Sequence, residues 1–292
     1  MRITQSEIYR NFISNLQTVS ELYSRLSRQV SSGKRLTQLN DSPAGSAELL
    51  SLTDLASDID QYRSSSDSVS FYLRVADSAL NEVNNLITSI YSKGSQAASE
   101  LVGSDARSAL AIEIRSLRDQ ILSLANSQAK GRYIFAGSMV TSAPFVIEGD
   151  SVHYNGDGNV NTIVVDGGME VQLGVPGSDT FNSVFSSIES LLSAIDSNDT
   201  AAIGSALGQF SSAISQLGQS RGKIGASLGL VQNVQARLDV QETNLKARRS
   251  QVEDTNMAEA IVQMNQAQTA LQTTISAGGS ILPQRNLFDI LG

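Results

Sequence analysis

Few residues in this chain have the means to do chemistry, and they are poorly placed for it. There is no Cys and a single His, His153. That excludes a zinc site held by cysteines, with or without histidine partners, and a Cys nucleophile. An imidazole titrates in the right range for a general base, but His153 stands in "SVHYNGDGN", a strand-like run where it reads as structural. "GQSRGKI", Gly218 to Ile224, resembles a phosphate-binding loop at a glance. It is one residue short between its glycines, and Ile224 occupies the place of the Ser or Thr that would hold Mg²⁺. Lying inside a heptad run, it reads instead as a helix kink or close-packing site. "DGNVN", Asp157 to Asn161, alternates oxygen-bearing side chains like the start of an EF-hand loop. Thr162 stands where that loop needs Gly, and no Glu closes it. A β-turn signalled by Asn155-Gly156 accounts for it. The carboxylates Asp239, Glu242, Glu253, Asp254 and Glu259 are interspersed with Arg237, Lys246, Arg248 and Arg249, the composition of solvated helix faces. No nucleophile, base and acid converge. The expectation is no enzyme, no cofactor and no metal.

The elements behind these residues are mostly helices. Ile8, Phe12, Leu16, Val19, Tyr23, Leu26 and Val30 alternate steps of four and three, close to a coiled-coil seam. "SSGKR" then stops the helix, with Gly33 suited to a left-handed cap. In "NDSPAG", Asp41 or Ser42 can cap a new helix whose first position is Pro43. A second stripe runs Val69, Leu73, Ala76, Leu80, Val83, Ile87 and Ile90, and a third Leu110, Ile114, Leu117, Ile121 and Leu124. Between them "KGSQAASELVGSDA" reads as a turn region, with Gly94 and Gly103 as breakers. Residues 131–177 differ in kind: short β-branched or aromatic runs separated by Gly-rich turns predict a small β domain inserted in a helical chain. The flanking heptads do not depend on it, so a short linker is expected to replace residues 133–176 without loss of the helices. Helix returns through Ile203, Leu207, Phe210, Ile214, Leu217, Ile224, Leu228, Val231, Val234 and Leu238. The last stripe is Met257, Ile261, Met264, Leu271 and Ile275. The fold class expected is mainly α with an inserted small β domain, an elongated rod in which the terminal segments pair as long antiparallel helices.

Charge narrows the partners. Net charge is −8 and the pI about 4.7, which disfavours nucleic acid and anionic membrane surfaces. No apolar run is long enough to span a bilayer, so no membrane insertion is expected. "MRITQSEIYR" lacks the apolar centre of a cleaved signal peptide, so export is expected to use another route. The chain ends are unusually poor in charge. From Thr255 to Gly292 only Glu259, Arg285 and Asp289 are charged, and Asn11 to Ser20 carries none. Ordinary exposed helices are rich in Lys and Glu. Helices like these are built to be covered by other chains, which makes Phe12, Leu16, Val19, Tyr23, Leu26, Met257, Ile261, Met264, Leu271 and Ile275 the expected assembly interface.

Three segments carry a family resemblance. "QVSSGKRLTQLNDSPAG", "SRGKIGASLGLVQNVQARLD" and "SQVEDTNMAEAIVQMNQAQTALQTTISAGGSIL…NLFDIL" are similar to signatures of the bacterial flagellin superfamily. "GRYIFAGS", "VHYNGDGN" and the "NLFDIL" ending resemble its hook–filament junction branch more than filament flagellin. Ser227 and Gly229 depart from the pattern, and Gly229 loosens its helix slightly. The resemblance implies a structural adaptor linking hook to filament, with filament flagellin itself as the alternative and a secreted adhesin or enzyme using the β domain as a third reading. It implies an extracellular, homo-oligomeric ring that touches the proximal hook-associated junction protein and flagellin. Delivery would be by the flagellar export apparatus with an export chaperone. It also implies three parts: residues 1–40 with 252–292 as the inner tube domain, 41–130 with 178–251 as a middle helical bundle, and 131–177 as the outer β domain. Gly33, Pro43 and Gly45 would be the connector between the first two.

Overall fold

The long apolar stripes are helices. The computed structural model describes residues 5–38, 40, 42–149 and 151–281. Its helices are α1 (Gln5–Ser32), α2 (Pro43–Ala97), α3 (Ser104–Ala125), α4 (Gly177–Asp196), α5 (Thr200–Glu253) and α6 (Met257–Ile281). Between α3 and α4 lie six short strands: β1 (Gln128–Ala129), β2 (Arg132–Tyr133), β3 (Phe145–Glu148), β4 (Ser151–Tyr154), β5 (Thr162–Asp166) and β6 (Met169–Gln172). The chain is mainly α with small antiparallel hairpins, and it divides into two compact units, residues 1–58 with 241–292, and residues 59–240.

In the first unit α1 and α6 pack along each other, with Leu26, Leu36, Leu52, Leu245, Ala260 and Ala267 buried. In the second unit the stripe from Val69 to Ile90 is buried at every expected position. α5 answers it with Ile203, Ala206, Phe210, Ala213, Leu217, Ser220, Ile224, Val231, Val234 and Leu238. Alanines here take seam places that a scan for large side chains assigns elsewhere, and Ile214 is exposed.

Three expectations change. Gly94 does not break a helix: α2 runs through it to Ala97. A Cβ there would stand 2.8 Å from Leu207 Cδ2 and 2.9 Å from Leu191 Cδ2, so the glycine admits two leucines to the helix backbone. Gly218 and Gly222 of "GQSRGKI" lie within continuous α5 with open space beside them, so they are not close-packing positions. The third stripe is centred one residue off the expected one, on Arg107, Ala111, Ile114, Arg118, Ile121 and Ala125. Arg107 is buried because it caps the end of α2, donating to Ala97 O at 2.9 Å and Ser99 O at 3.0 Å.

The insert forms three separate two-stranded hairpins, β1–β2, β3–β4 and β5–β6. Lys130 (φ +50°) and Gly131 (φ +76°) make the first turn. Isolated hairpins are marginal in water, and these lean on helices. Phe135 and Phe145 are fully buried, with ring centroids 4.9 Å and 5.4 Å from Phe181 of α4, and Phe145 is 5.4 Å from Phe185. Asn126, the C-cap of α3, exchanges two hydrogen bonds with the Phe145 backbone, and Val152 N–H donates to Glu189 of α4 at 2.7 Å. The insert and α4 therefore share one aromatic core, which overturns the expectation that the helices ignore the insert.

Candidate assembly surface and connector

The face that α1 turns to α6 begins at Phe12. Its ring lies over Gly278, where a Cβ would stand 2.2 Å from Phe12 Cζ. Phe12, Leu16, Val19 and Tyr23 are half-buried and Leu26 is buried. On α6 the covered positions are Ala260, Met264, Ala267, Leu271, Thr274 and Gly278. Both seams alternate steps of four and three, as paired helices require. The register set by Phe12 on Gly278 therefore brings Leu16 level with Thr274, Val19 with Leu271, Tyr23 with Ala267 and Leu26 with Met264. At Phe12–Gly278, Leu16–Thr274 and Tyr23–Ala267 a large side chain meets a small one, which lets the backbones approach there.

Met257, Ile261 and Ile275 do not join this seam. They are 41%, 40% and 55% exposed, and Val262 beside them is 55% exposed. With Asn265, Gln266, Thr269, Ala270, Thr273 and the seam residue Thr274, Val262 lines a shallow uncharged groove along α6. The expected interface residues thus divide into an intramolecular set (Phe12, Leu16, Val19, Tyr23, Leu26, Met264, Leu271) and an outward set. Ala260, Ala267 and Gly278 were missed because they are small. Their signal was spacing: small residues at heptad intervals in a helix nearly free of charge.

The connector is built from two chain breaks held together. α1 ends with Gly33 in the left-handed region (φ +72°), its N–H donating to Gln29 O at 2.9 Å. Lys34 and Asp254 then form an antiparallel bridge, in which Arg35 N–H donates to Glu253 O at 2.6 Å and Thr255 N–H to Gly33 O at 3.0 Å. Glu253, expected among solvated charges, is 6% exposed. Burial pushes its pKa up, but hydrogen bonds from Lys34 and from Arg249 Nε (2.8 Å) outweigh that and hold it below the ordinary glutamate value. Arg35 also donates to Val252 O at 2.9 Å. Downstream, Ser42 caps α2, its Oγ accepting from Gly45 N–H at 3.2 Å, with Pro43 at the first helical position. Gly45 leaves room for buried Leu36, whose Cδ1 would lie 3.0 Å from a Cβ there. Asp41, the other cap expected, and the "NLFDIL" ending lie outside the described residues.

The remaining candidates have plain structural places. His153 is exposed in β4, opposite Val146. Asp239 pairs with Arg63, Glu242 with Lys246, and Arg248 with Glu48. Among the described residues no group of His, Asp or Glu is placed to hold a metal ion. "VHYNGDGN" folds back on "GRYIFAGS". The Asp157 carboxylate accepts from Ser138 N–H at 2.6 Å, from the Ser138 hydroxyl and from Asn159 Nδ2 at 2.9 Å. Those bonds from Ser138 and Asn159 draw its pKa down to about 2. The Tyr154 hydroxyl lies 3.1 Å from Phe135 O and 2.8 Å from Asp157 O. Gly137 (φ +70°) passes so close that a Cβ would meet Asp157 Oδ1 at 2.0 Å. This is a lock between two loops rather than a cation site.

Residues 3–140 match the bacterial flagellin N-terminal helical region, and residues 189–287 the bacterial flagellin C-terminal helical region. Flagellar hook-associated protein 3 of Salmonella typhimurium is 29% identical over 64% of this chain and 58% of its own. The namesake in Escherichia coli is 28% identical over 71% and 66%. The chain thus spans 58% and 66% of these two relatives' length. In fold it is similar to Xanthomonas campestris FlgL, with a TM-score of 0.62 at 20% identity, covering 68% of this chain and 99% of that one. The two matched regions enclose the paired terminal helices, both chain breaks and the long helices between, and on that ground the chain belongs to the bacterial flagellin family.

Proposed function

We propose that this protein is a non-catalytic junction component of the bacterial flagellum, linking the hook, through the proximal hook-associated protein, to the flagellin filament. The observation that carries the reading is the outward face of α6. A soluble helix normally meets water with Lys and Glu, whereas this one presents Met257, Ile261, Val262 and Ile275 among uncharged polar groups. Such a face gains by being covered, and further copies in a closed ring are the occupants proposed. The names of the curated relatives support the junction over filament flagellin. In this reading residues 1–40 with 252–292 form the inner layer, Gly33, Pro43 and Gly45 serve the connector, residues 41–130 with 178–251 form the middle layer, and 131–177 lie outermost. Delivery in this reading is by the flagellar export apparatus, with a chaperone guarding the C-terminal region.

Expression of the full chain in cells lacking their own junction protein tests this. Restored filaments, with antibody labelling confined to the hook–filament boundary, are expected. Labelling along the whole filament, or extension of flagellin seeds by the purified chain alone, would identify a filament subunit instead.

A further inference from the structure

The described residues contain one Asn-Gly and two Asp-Gly pairs: Asn155–Gly156, Asp157–Gly158 and Asp166–Gly167. All three sit in the insert, and glycine's bare backbone makes each chemically open to ring closure by the following amide nitrogen. The structure treats them differently. Asp157 is held by three hydrogen-bond donors from Ser138 and Asn159. Cyclisation needs the neutral acid, because an ionised carboxylate does not expel oxide. With its pKa drawn down to about 2 by those bonds, Asp157 holds less of that form at neutral pH than an unrestrained aspartate. Asp166 is paired with the Arg237 guanidinium and accepts from the N–H of Gly167 at 2.8 Å, so both its carboxylate and the attacking nitrogen are already engaged. Asn155 has neither restraint. Its side chain is exposed, and no described group holds its amide or the Gly156 N–H. The backbone on either side is anchored, Asn155 N–H to Pro144 O at 2.7 Å and Asp157 N–H to Ala136 O at 3.4 Å. Gly156 passes close to the Tyr154 hydroxyl and Ala136 O, so what is left unheld is the Asn155 side chain and the Gly156 N–H.

We propose that Asn155–Gly156 is a site of spontaneous deamidation, the one reactive turn among three sequence candidates. The Gly156 nitrogen attacks Asn155 Cγ, the Cγ–N bond breaks, and ammonia leaves with the proton from Gly156. Solvent water then opens the succinimide at either carbonyl, giving aspartate or isoaspartate. The isoaspartyl product adds a methylene to the main chain between Tyr154 and Asp157, the two residues that fasten this loop to Phe135 and Ser138. Modification at this turn therefore loosens the lock from within.

The test is a timed incubation of the folded full-length protein at neutral pH and physiological temperature, beside the same chain in urea, read by peptide mass spectrometry and isoaspartate labelling. Conversion at Asn155 is expected in both samples, with isoaspartate at Asp157 and Asp166 rising only in urea. Ser138→Ala, at an exposed position, is expected to raise isoaspartate at Asp157 severalfold and to leave the Asn155 rate unchanged. Asn155 persisting in the folded chain while reacting in urea would overturn the proposal. So would Asp157 or Asp166 reacting as fast as Asn155 in the folded chain, or Ser138→Ala leaving Asp157 inert.

Discussion

A buried carboxylate and a crowded glycine show how single positions carry this fold. Glu253 is lowered in pKa by Lys34 and Arg249 against its burial. A depressed carboxylate stabilises the fold above its unfolded pKa, and that contribution is lost as pH falls through its folded pKa. Glu253→Gln is expected to cost roughly 1.5–3 kcal/mol at neutral pH, the range for hydrogen bonds to charged groups. The gap to wild type should close in acid below the ordinary glutamate range. Thermal unfolding at both pH values checks this, and an undiminished gap in acid would remove Glu253 from the clamp. Gly137→Ala combines left-handed strain with a collision at Asp157, together roughly 2–5 kcal/mol. Gly131→Ala has the same backbone problem but open space, and should cost only about 1–2 kcal/mol. Equal melting temperatures for the two variants would mean the lock has no stabilising effect.

At the scale of elements, the α1–α6 pair has an inside and an outside. Leu271 is half-buried on the seam, level with Val19. Leu271→Asp loses that burial and places a carboxylate between helices, which should cost roughly 2 kcal/mol or more and reduce helix content. Ile275 is one helical turn away and exposed. Ile275→Asp should leave the circular dichroism melt unchanged yet abolish filament restoration in the complementation assay. If Ile275→Asp restores filaments as well as wild type, the outer face of α6 is not the assembly surface. The division explains why one apolar stripe could not be assigned from periodicity alone. Two stripes wind along α6, and the one with the larger side chains is the one facing out.

For the whole molecule, the insert is tied to the helices that flank it. Phe135 and Phe145 complete a core whose other half is Phe181 and Phe185. Replacing residues 133–176 with a short Gly/Ser linker uncovers that half. We expect the unit formed by residues 59–240 to lose more than about 3 kcal/mol, the scale of a single deleted core Phe. The loss should appear as a lower and broader thermal transition in circular dichroism. An unchanged transition would restore the picture of an independent insert.

Much was legible in the chain itself. The heptad from Val69 to Ile90, Ser42 before Pro43 as a helix start, Gly33 as a helix stop and a β insert between helices, which starts at Gln128 rather than Gly131, all appear in the structure. Each rests on a local rule of periodicity, capping or turn chemistry that operates within a few residues. The tertiary structure decided what depends on a distant partner. Gly94 is a packing site because Leu191 and Leu207 arrive there, and Gly278 because Phe12 does. Glu253 is buried because Lys34, 219 residues away, folds over it. Arg107 lies inside because the end of α2 offers it free carbonyls. Side-chain size and charge specify what a residue can bury. Which face is buried is settled only when another segment supplies the complementary bulk, donor or charge.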